Sequence, residues 1–187
     1  HAMKLFDAHT HIHFPLYNTD REAVIERAKA VGVKMLCVGT QAVSSEAAVE
    51  LAKKNPGEIW ASAGFHPNHF ASAWYHDKKE QAQSEREEFD AQRLRKIAGN
   101  PEVVAIGEFG LDYYRLNKEL RIMNKEKEDQ QDAFEVQVGL AKDLNKALMM
   151  HCRPSKGTDD AYDDALRLLS TYDNLPPRIF HFYVGSM

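Results

Sequence analysis

The sequence predicts an α/β protein of the (β/α)8 barrel type in which about six of the eight βα units are present. Short, almost continuously apolar runs alternate with longer amphipathic stretches about six times, the pattern of parallel strands covered on both faces and joined by helical crossovers. A doubly wound sheet is the competing candidate. No G-x-G-x-x-G and no P-loop follows any of the runs, so its usual nucleotide-binding rationale is missing and the barrel leads.

In chain order the predicted strands are "KLFDAH", "VKMLCVG", "EIWASAGFH", "VVAIGE", "KALMMH" and "RIFHF". The stretch "DREAVIERAKAVG" places Val24, Ala28 and Val31 at helical spacing, and "SSEAAVELAKKNPG" opens on capping serines and stops at Pro-Gly. Farther on, "KEDQQDAFEVQVGLAKDLN" sets Phe134, Val138 and Ala141 on one face, as "DDAYDDALRLLSTY" does Tyr162, Ala165 and Leu169. Two charge-rich segments, "WYHDKKEQAQSEREEFDAQRLRKIAGNP" and "RLNKELRIMNKEKEDQQ", read as solvated helix faces and an extended βα loop, with a lid or substrate-contacting insert as the sharper alternative.

The 187 residues suit one domain with one core. His1–Ala2 ahead of Met3 reads as a vector remnant before the start methionine, and residues 4–187 are expected to form a single domain, incomplete at its C-terminus. With 43% hydrophobic and 28% charged residues, no apolar run long enough to span a bilayer and no apolar N-terminal core of a signal peptide, a soluble cytoplasmic protein without a membrane partner is expected. Cys37 and Cys152 lie in apolar runs far apart and read as buried thiols in a reducing compartment. The formal charge of −4 gives no general attraction to polyanions, which weakens a simple nucleic-acid-binding module but leaves a metal-dependent enzyme open.

Chemistry concentrates where the apolar runs end. In "FDAHTHIHF", alternation along a strand turns His9 and His11 to the same side, and His13, past the strand end, reads as a loop or structural residue. His66, Glu108, His151 and His181 each close a later run. In a barrel these residues converge on the C-terminal mouth, where the active site is built. Neutral imidazoles around a carboxylate suit Zn²⁺, Mn²⁺ or Fe²⁺, and a bridging carboxylate can hold two ions about 3.5–4 Å apart, as two-metal phosphodiester hydrolysis requires. Arg153, next to the fifth strand's histidine, is a candidate phosphate contact or a surface ion pair. Met149 and Met150 read as core.

The motifs "FDAHTHIHF", "GFHP", "AIGEFGLDYY", "QQDAFEVQVGLAKDLNKALMMHCR" and "IFHFYVGS" stand in the order and approximate spacing of the TatD-type metal-dependent hydrolases, amidohydrolase-like barrels that this sequence resembles over essentially its whole length. H-x-H alone is common to many amidohydrolases; the combination with "IGEFGLDYY" and G-x-H-P is specific. The resemblance implies a TIM barrel with two divalent metals (Zn²⁺, Mg²⁺ or Mn²⁺) and deoxyribonuclease activity on DNA or another phosphodiester. Matched motif by motif, it implies that His9 and His11 hold one ion, that Glu108 bridges and takes a catalytic part, and that His151 and His181 hold the other. His66 would act beside the metals at the substrate phosphate. Asp112 of "GLDYY" would either fix the loop after the fourth strand or contact substrate directly.

The sequence departs from the family pattern at its end. The family's eighth strand ends in an Asp that completes the first metal site, and no residue follows Met187 here. The expectation is a truncated chain with impaired turnover, or a homo-oligomer in which a second copy covers the open sheet edges. Two other readings stay open: an amidohydrolase acting on a small C–N or ester bond through the same metal architecture, and a non-catalytic fragment that binds metal or self-associates.

Overall fold

A computed structural model describes residues 5–185; the expectation placed on residues 1–3 lies outside them. Among the described residues six parallel strands form one sheet, β1 Leu5–Thr10, β2 Val33–Val38, β3 Ile59–Ala63, β4 Val103–Asp112, β5 Ala147–Arg153 and β6 Arg178–Phe180. Their spatial order is β1-β2-β3-β4-β5-β6, the sequence order. A doubly wound sheet reverses order at a switch point. The unbroken order therefore decides between the two candidates in favour of barrel winding, here a curled half-barrel. Although β1 and β6 are the two edges, His9 within β1 and His181 just after β6 stack with centroids 4.1 Å apart.

The connecting helices are α1 Arg21–Ala30, α2 Ala42–Lys54, α3 Ala91–Ala98, α4 Leu120–Leu144 and α5 Asp160–Leu169. One face of the strands packs on them: Cys37, Ala61, Phe109, Leu148 and Cys152 share a core with Ala48, Leu94, Phe134, Val138 and Ala165. The opposite face carries a smaller cluster of Leu36, Val38, Ala105 and Met149, flanked by Trp60 and Ala147. Burial on both faces explains why the central strands read as continuous apolar runs. At the edges the cover thins, and Leu5, Phe6 and Ile179 are exposed. Both cysteine thiols are free and buried, as expected, and burial pushes each up to about 12.

The helix predictions hold with three local differences. In α1 the fully buried residue is Ile25, while Val31 lies just past the helix end and is exposed. The second helix starts at Ala42, ahead of the serines. Ser44 still serves its N-terminus, its Oγ accepting from the N–H groups of Thr40 at 2.8 Å and Gln41 at 3.0 Å. The charge-rich segment after β3 is an extended connection followed by α3, whose Asp90 cap accepts from the amides of Gln92 and Arg93.

That connection is fastened down. Glu87 accepts from the first amides of α2, Ala42 and Val43, each at 3.0 Å. Thr40 donates to Glu80 at 2.6 Å, Gln41 donates to Gln81, and Leu16 N–H donates to Lys79 O at 3.1 Å. The extended loop therefore lies over the ends of β1 and β2. No helix of the described residues is long and apolar enough to cross a membrane.

Candidate metal centre

Parallel strands in sequential order bring all their C-terminal ends to one side, and the side chains at those ends define the site. Glu108 projects from within β4 and is 4% exposed, beneath five imidazoles. Its Oε2 lies 3.4 Å from His9 Nε2 and 3.9 Å from His11 Nε2; its Oε1 lies 2.5 Å from His181 Nε2, 3.3 Å from His151 Nδ1 and 3.6 Å from His66 Nε2. Every residue expected to bind metal is thus brought to one carboxylate.

Two expectations about position need correction. His66 does not end β3, which stops at Ala63; it caps a short 3-10 turn, Pro67–Phe70. β4 does not end at Glu108 but continues to Asp112, because Phe109 and Leu111 remain fully buried against the helices. Asp112 is therefore a strand residue, 3% exposed, and its Oδ2 lies 3.0 Å from His151 Nε2. Arg153 closes β5 and stacks on Tyr114, its guanidinium carbon 3.8 Å from the ring centroid. His13 contributes nothing to the carboxylate; it is buried beside Phe14 and His11, as its position past the strand suggested.

Hydrogen bonds fix which ring nitrogens are available. Val38 O, a pure acceptor, lies 2.9 Å from His11 Nδ1, so that nitrogen carries the proton and the Nε2 lone pair faces the site. His66 is the opposite case. Its Nδ1 accepts from Asn68 N–H at 3.1 Å, which puts the proton on Nε2 and makes it a donor toward the site. For His151 the Asp112 carboxylate takes Nε2–H, and Nδ1 points at Glu108.

The electrostatics follow. Burial opposes charge on Glu108, but hydrogen bonds from His151, His181 and His9 outweigh it and hold the carboxyl well below its usual range. Burial likewise works against charge on His151, yet bonding to Asp112 and Glu108 raises it to about 9. His66, with burial dominant and the His151 charge adding to it, falls to about 3 and stays neutral. His11 is lowered mainly by burial. The ionised buried carboxylate and the His11 Nε2 lone pair are donors suited to divalent transition metals, and the imidazoles that donate to Glu108 would join them by giving up those protons.

Among the described residues, His9–Glu108–His181 and His66–Glu108–His151 each have three ligand-type atoms within 4.8 Å of one another, and His9 Nε2 and His11 Nε2 lie 3.2 Å apart, both within 3.9 Å of Glu108 Oε2. The second triple includes His66 by distance; its Nε2–H makes it a hydrogen-bond donor there.

A stripe of polar residues on α4 escaped the sequence reading. Glu126, Gln130 and Gln137 are buried although polar. Gln130 Oε1 accepts from Asp112 N–H at 2.8 Å and its amide donates to Asp112 O; Gln137 Oε1 accepts from Phe65 N–H at 2.8 Å. Glu126 accepts from the amides of Ser72 at 2.6 Å and Asn117 at 2.8 Å. These side chains satisfy the loop backbones on either side of His66 and Asp112. Their helical spacing in line with Phe134 and Ala141 was the available signal.

The family model described as TatD related DNase matches residues 6–187. The chain belongs to this family. Among curated TatD-family relatives, the 3'-5' ssDNA/RNA exonuclease TatD of Erwinia billingiae is 35% identical over 184 residues, covering 97% of this chain and 60% of the relative. The exonuclease of the same name from Pantoea vagans is 39% identical over 151 residues, covering 80% of this chain and 50% of its own length. The crystal structure of the TatD homolog YjjV from Escherichia coli superposes with a TM-score of 0.68 at 27% identity, covering 97% of this chain and 61% of that one. The chain thus spans about 60% of the length of TatD relatives it matches.

Proposed function

We propose that this chain carries the centre of a divalent-metal-dependent phosphodiester hydrolase acting on nucleic acid, with two ions held around Glu108. The observation that supports this best is a buried carboxylate kept ionised beneath the ring nitrogens of His9, His11, His66, His151 and His181. In this reading His9 and His11 with Glu108 hold one ion, and His151 and His181 with Glu108 the other. The bound ions would supply Lewis-acid polarisation of the phosphoryl group and a more acidic water.

The protein's own groups divide the remaining work. His66 presents an uncharged Nε2–H to a phosphoryl oxygen, which it can do because burial keeps the ring neutral. Asp112 holds His151 with Nδ1 inward. Arg153, flattened on Tyr114 at the same mouth, offers a guanidinium to phosphate. Glu108 gathers the imidazole nitrogens at one place by accepting their N–H groups, protons that bound ions would displace. The 3'-5' exonuclease naming of the relatives supports a nucleic-acid substrate for this chain as well.

The test is metal analysis together with hydrolysis of single-stranded DNA in Mg²⁺, Mn²⁺ or Zn²⁺. Bound metal and metal-dependent cleavage, both lost in Glu108→Gln, are expected. A folded chain that takes up no metal overturns the ligand assignment. Cleavage of small amides or esters but not DNA would turn the reading to an amidohydrolase.

A further inference from the structure

Beside the metal centre lies a cavity of about 200 Å³ whose wall includes His66 and Glu108 themselves. Its far side comes from elsewhere: Phe14 from the loop after β1, and Trp74, Tyr75, Asp77 and Glu80 from the extended connection after β3. Resting on the phosphodiester reading, we propose that this cavity is a subsite for the base of a nucleotide flanking the cleaved phosphate, with Trp74 as its principal stacking residue and Asp77 and Glu80 as acceptors for base N–H groups.

Three features carry this. First, aromatic and acidic groups occur together, which suits a nucleobase: a π-face to stack and an edge bearing N–H donors such as thymine N3–H. Arg115 is the one arginine or lysine on this wall, against the carboxylates of Asp77, Glu80 and Glu108, so the balance of charge disfavours a second phosphate. Second, the wall is pre-formed. Glu80 is tied to Thr40, Gln81 to Gln41 and Ser72 N–H to Glu126, so the connection holds its aromatic groups in place before a ligand arrives. Two ring pairs support the wall separately: His69 lies 6.3 Å from Trp74, and His11 stacks on Phe14 at 4.4 Å. Third, Trp74 is only half-buried and Tyr75 is exposed, so aromatic surface remains to be covered.

The test compares single-stranded oligodeoxynucleotides carrying either thymine or an abasic tetrahydrofuran residue at each position flanking the cleaved bond. Loss of one base-stacking contact is worth on the order of tenfold in KM. For the wild-type chain, KM is expected to rise by about that factor at one of the two positions, with kcat changing less. Trp74→Ala should show the same rise on the intact oligonucleotide and no further rise on the abasic one, while Trp74→Phe, which keeps a ring, recovers most of the loss. Equal KM for intact and abasic substrates in the wild type, or penalties that simply multiply in Trp74→Ala, overturns the subsite. A binding arm needs no turnover: in Trp60→Phe, where Trp74 is the remaining tryptophan, the dinucleotide TpT should quench its fluorescence. Quenching without cleavage would keep the base subsite and overturn the hydrolytic reading; cleavage with neither quenching nor an abasic penalty would keep the hydrolytic reading and overturn the subsite.

Discussion

Asp112 Oδ2 lies 3.0 Å from His151 Nε2, a diagonal contact across the β4–β5 pairing, in which His151 faces Gly110 and Asp112 faces Arg153. This contact sets the ring so that Nδ1, not Nε2, meets Glu108. A carboxylate that orients a ligating imidazole in this way is commonly worth about 10–100-fold in metal affinity. Asp112→Ala is expected to weaken one of the two ions by that factor in a calorimetric Zn²⁺ or Mn²⁺ titration. The fold should survive, because Gln130 grips the backbone N–H and carbonyl of residue 112 rather than its side chain. Unchanged affinity would show that His151 is held by other means.

The convergence of ligands was legible because strand and polar terminus are both local patterns. An apolar run ending in His or Glu needs no knowledge of its neighbours, and sequential winding then gathers the ends. What the pattern missed depends on other elements. Nothing in "ASAGFHP" says that β3 stops at Ala63, because His66 is carried inward by the turn that begins at Pro67 and by Gln137 holding Phe65. Nothing in "VVAIGEFGLD" says that the strand passes Glu108, because continued burial of Phe109 and Leu111 comes from helices farther along the chain. The proton positions on His11 and His66 were likewise invisible, since each is set by a backbone group, Val38 O and Asn68 N–H respectively.

Lys146 opens the predicted strand "KALMMH", and its Nζ donates to three carbonyl oxygens, Ala98 at 2.5 Å, Asn100 at 3.0 Å and Val103 at 2.6 Å. It thereby closes the end of α3 onto the start of β4. Charged hydrogen bonds of this kind contribute about 1.5–3 kcal/mol, and truncation leaves the acceptors short of partners. Lys146→Met is expected to lose about 2 kcal/mol in urea unfolding, with little change in metal affinity.

His69 supplies a pH dependence. It is 5% exposed, its Nδ1 has no hydrogen-bond partner, and burial followed by the nearby Arg86 charge lowers it to about 4. A histidine with a depressed folded-state pKa favours the native state fully above about 6.5, its unfolded value, and loses that contribution as pH falls through about 4. Between pH 7 and pH 5 the loss from this residue comes to about 2 kcal/mol. Urea unfolding of metal-free protein should therefore show a shallower acid dependence in His69→Phe than in the wild type, by about that amount. Parallel pH profiles for the two proteins would contradict it.

The glycines of "IGEFG" are required by how closely β4 approaches its neighbours. A Cβ on Gly110 would lie 1.7 Å from His151 O, and the residue has φ +156°. A Cβ on Gly107, at φ +147°, would lie 2.3 Å from Met149 O. In each case the obstacle is backbone, which cannot swing aside as a side chain can. Gly110→Ala must therefore push apart β4 and β5 at the step where His151 is held, and a cost above about 4 kcal/mol is expected, with metal binding lost in any protein that still folds. Gly139 in α4 is the contrast, because a Cβ there meets nothing within 4 Å. Gly139→Ala removes backbone freedom from the unfolded chain and adds helix propensity, so it should stabilise by about 0.5–1 kcal/mol. Opposite signs for the two substitutions in one denaturant series would tie the Gly110 cost to close backbone approach; a Gly110→Ala protein as stable as the wild type, with metal bound, would refute it.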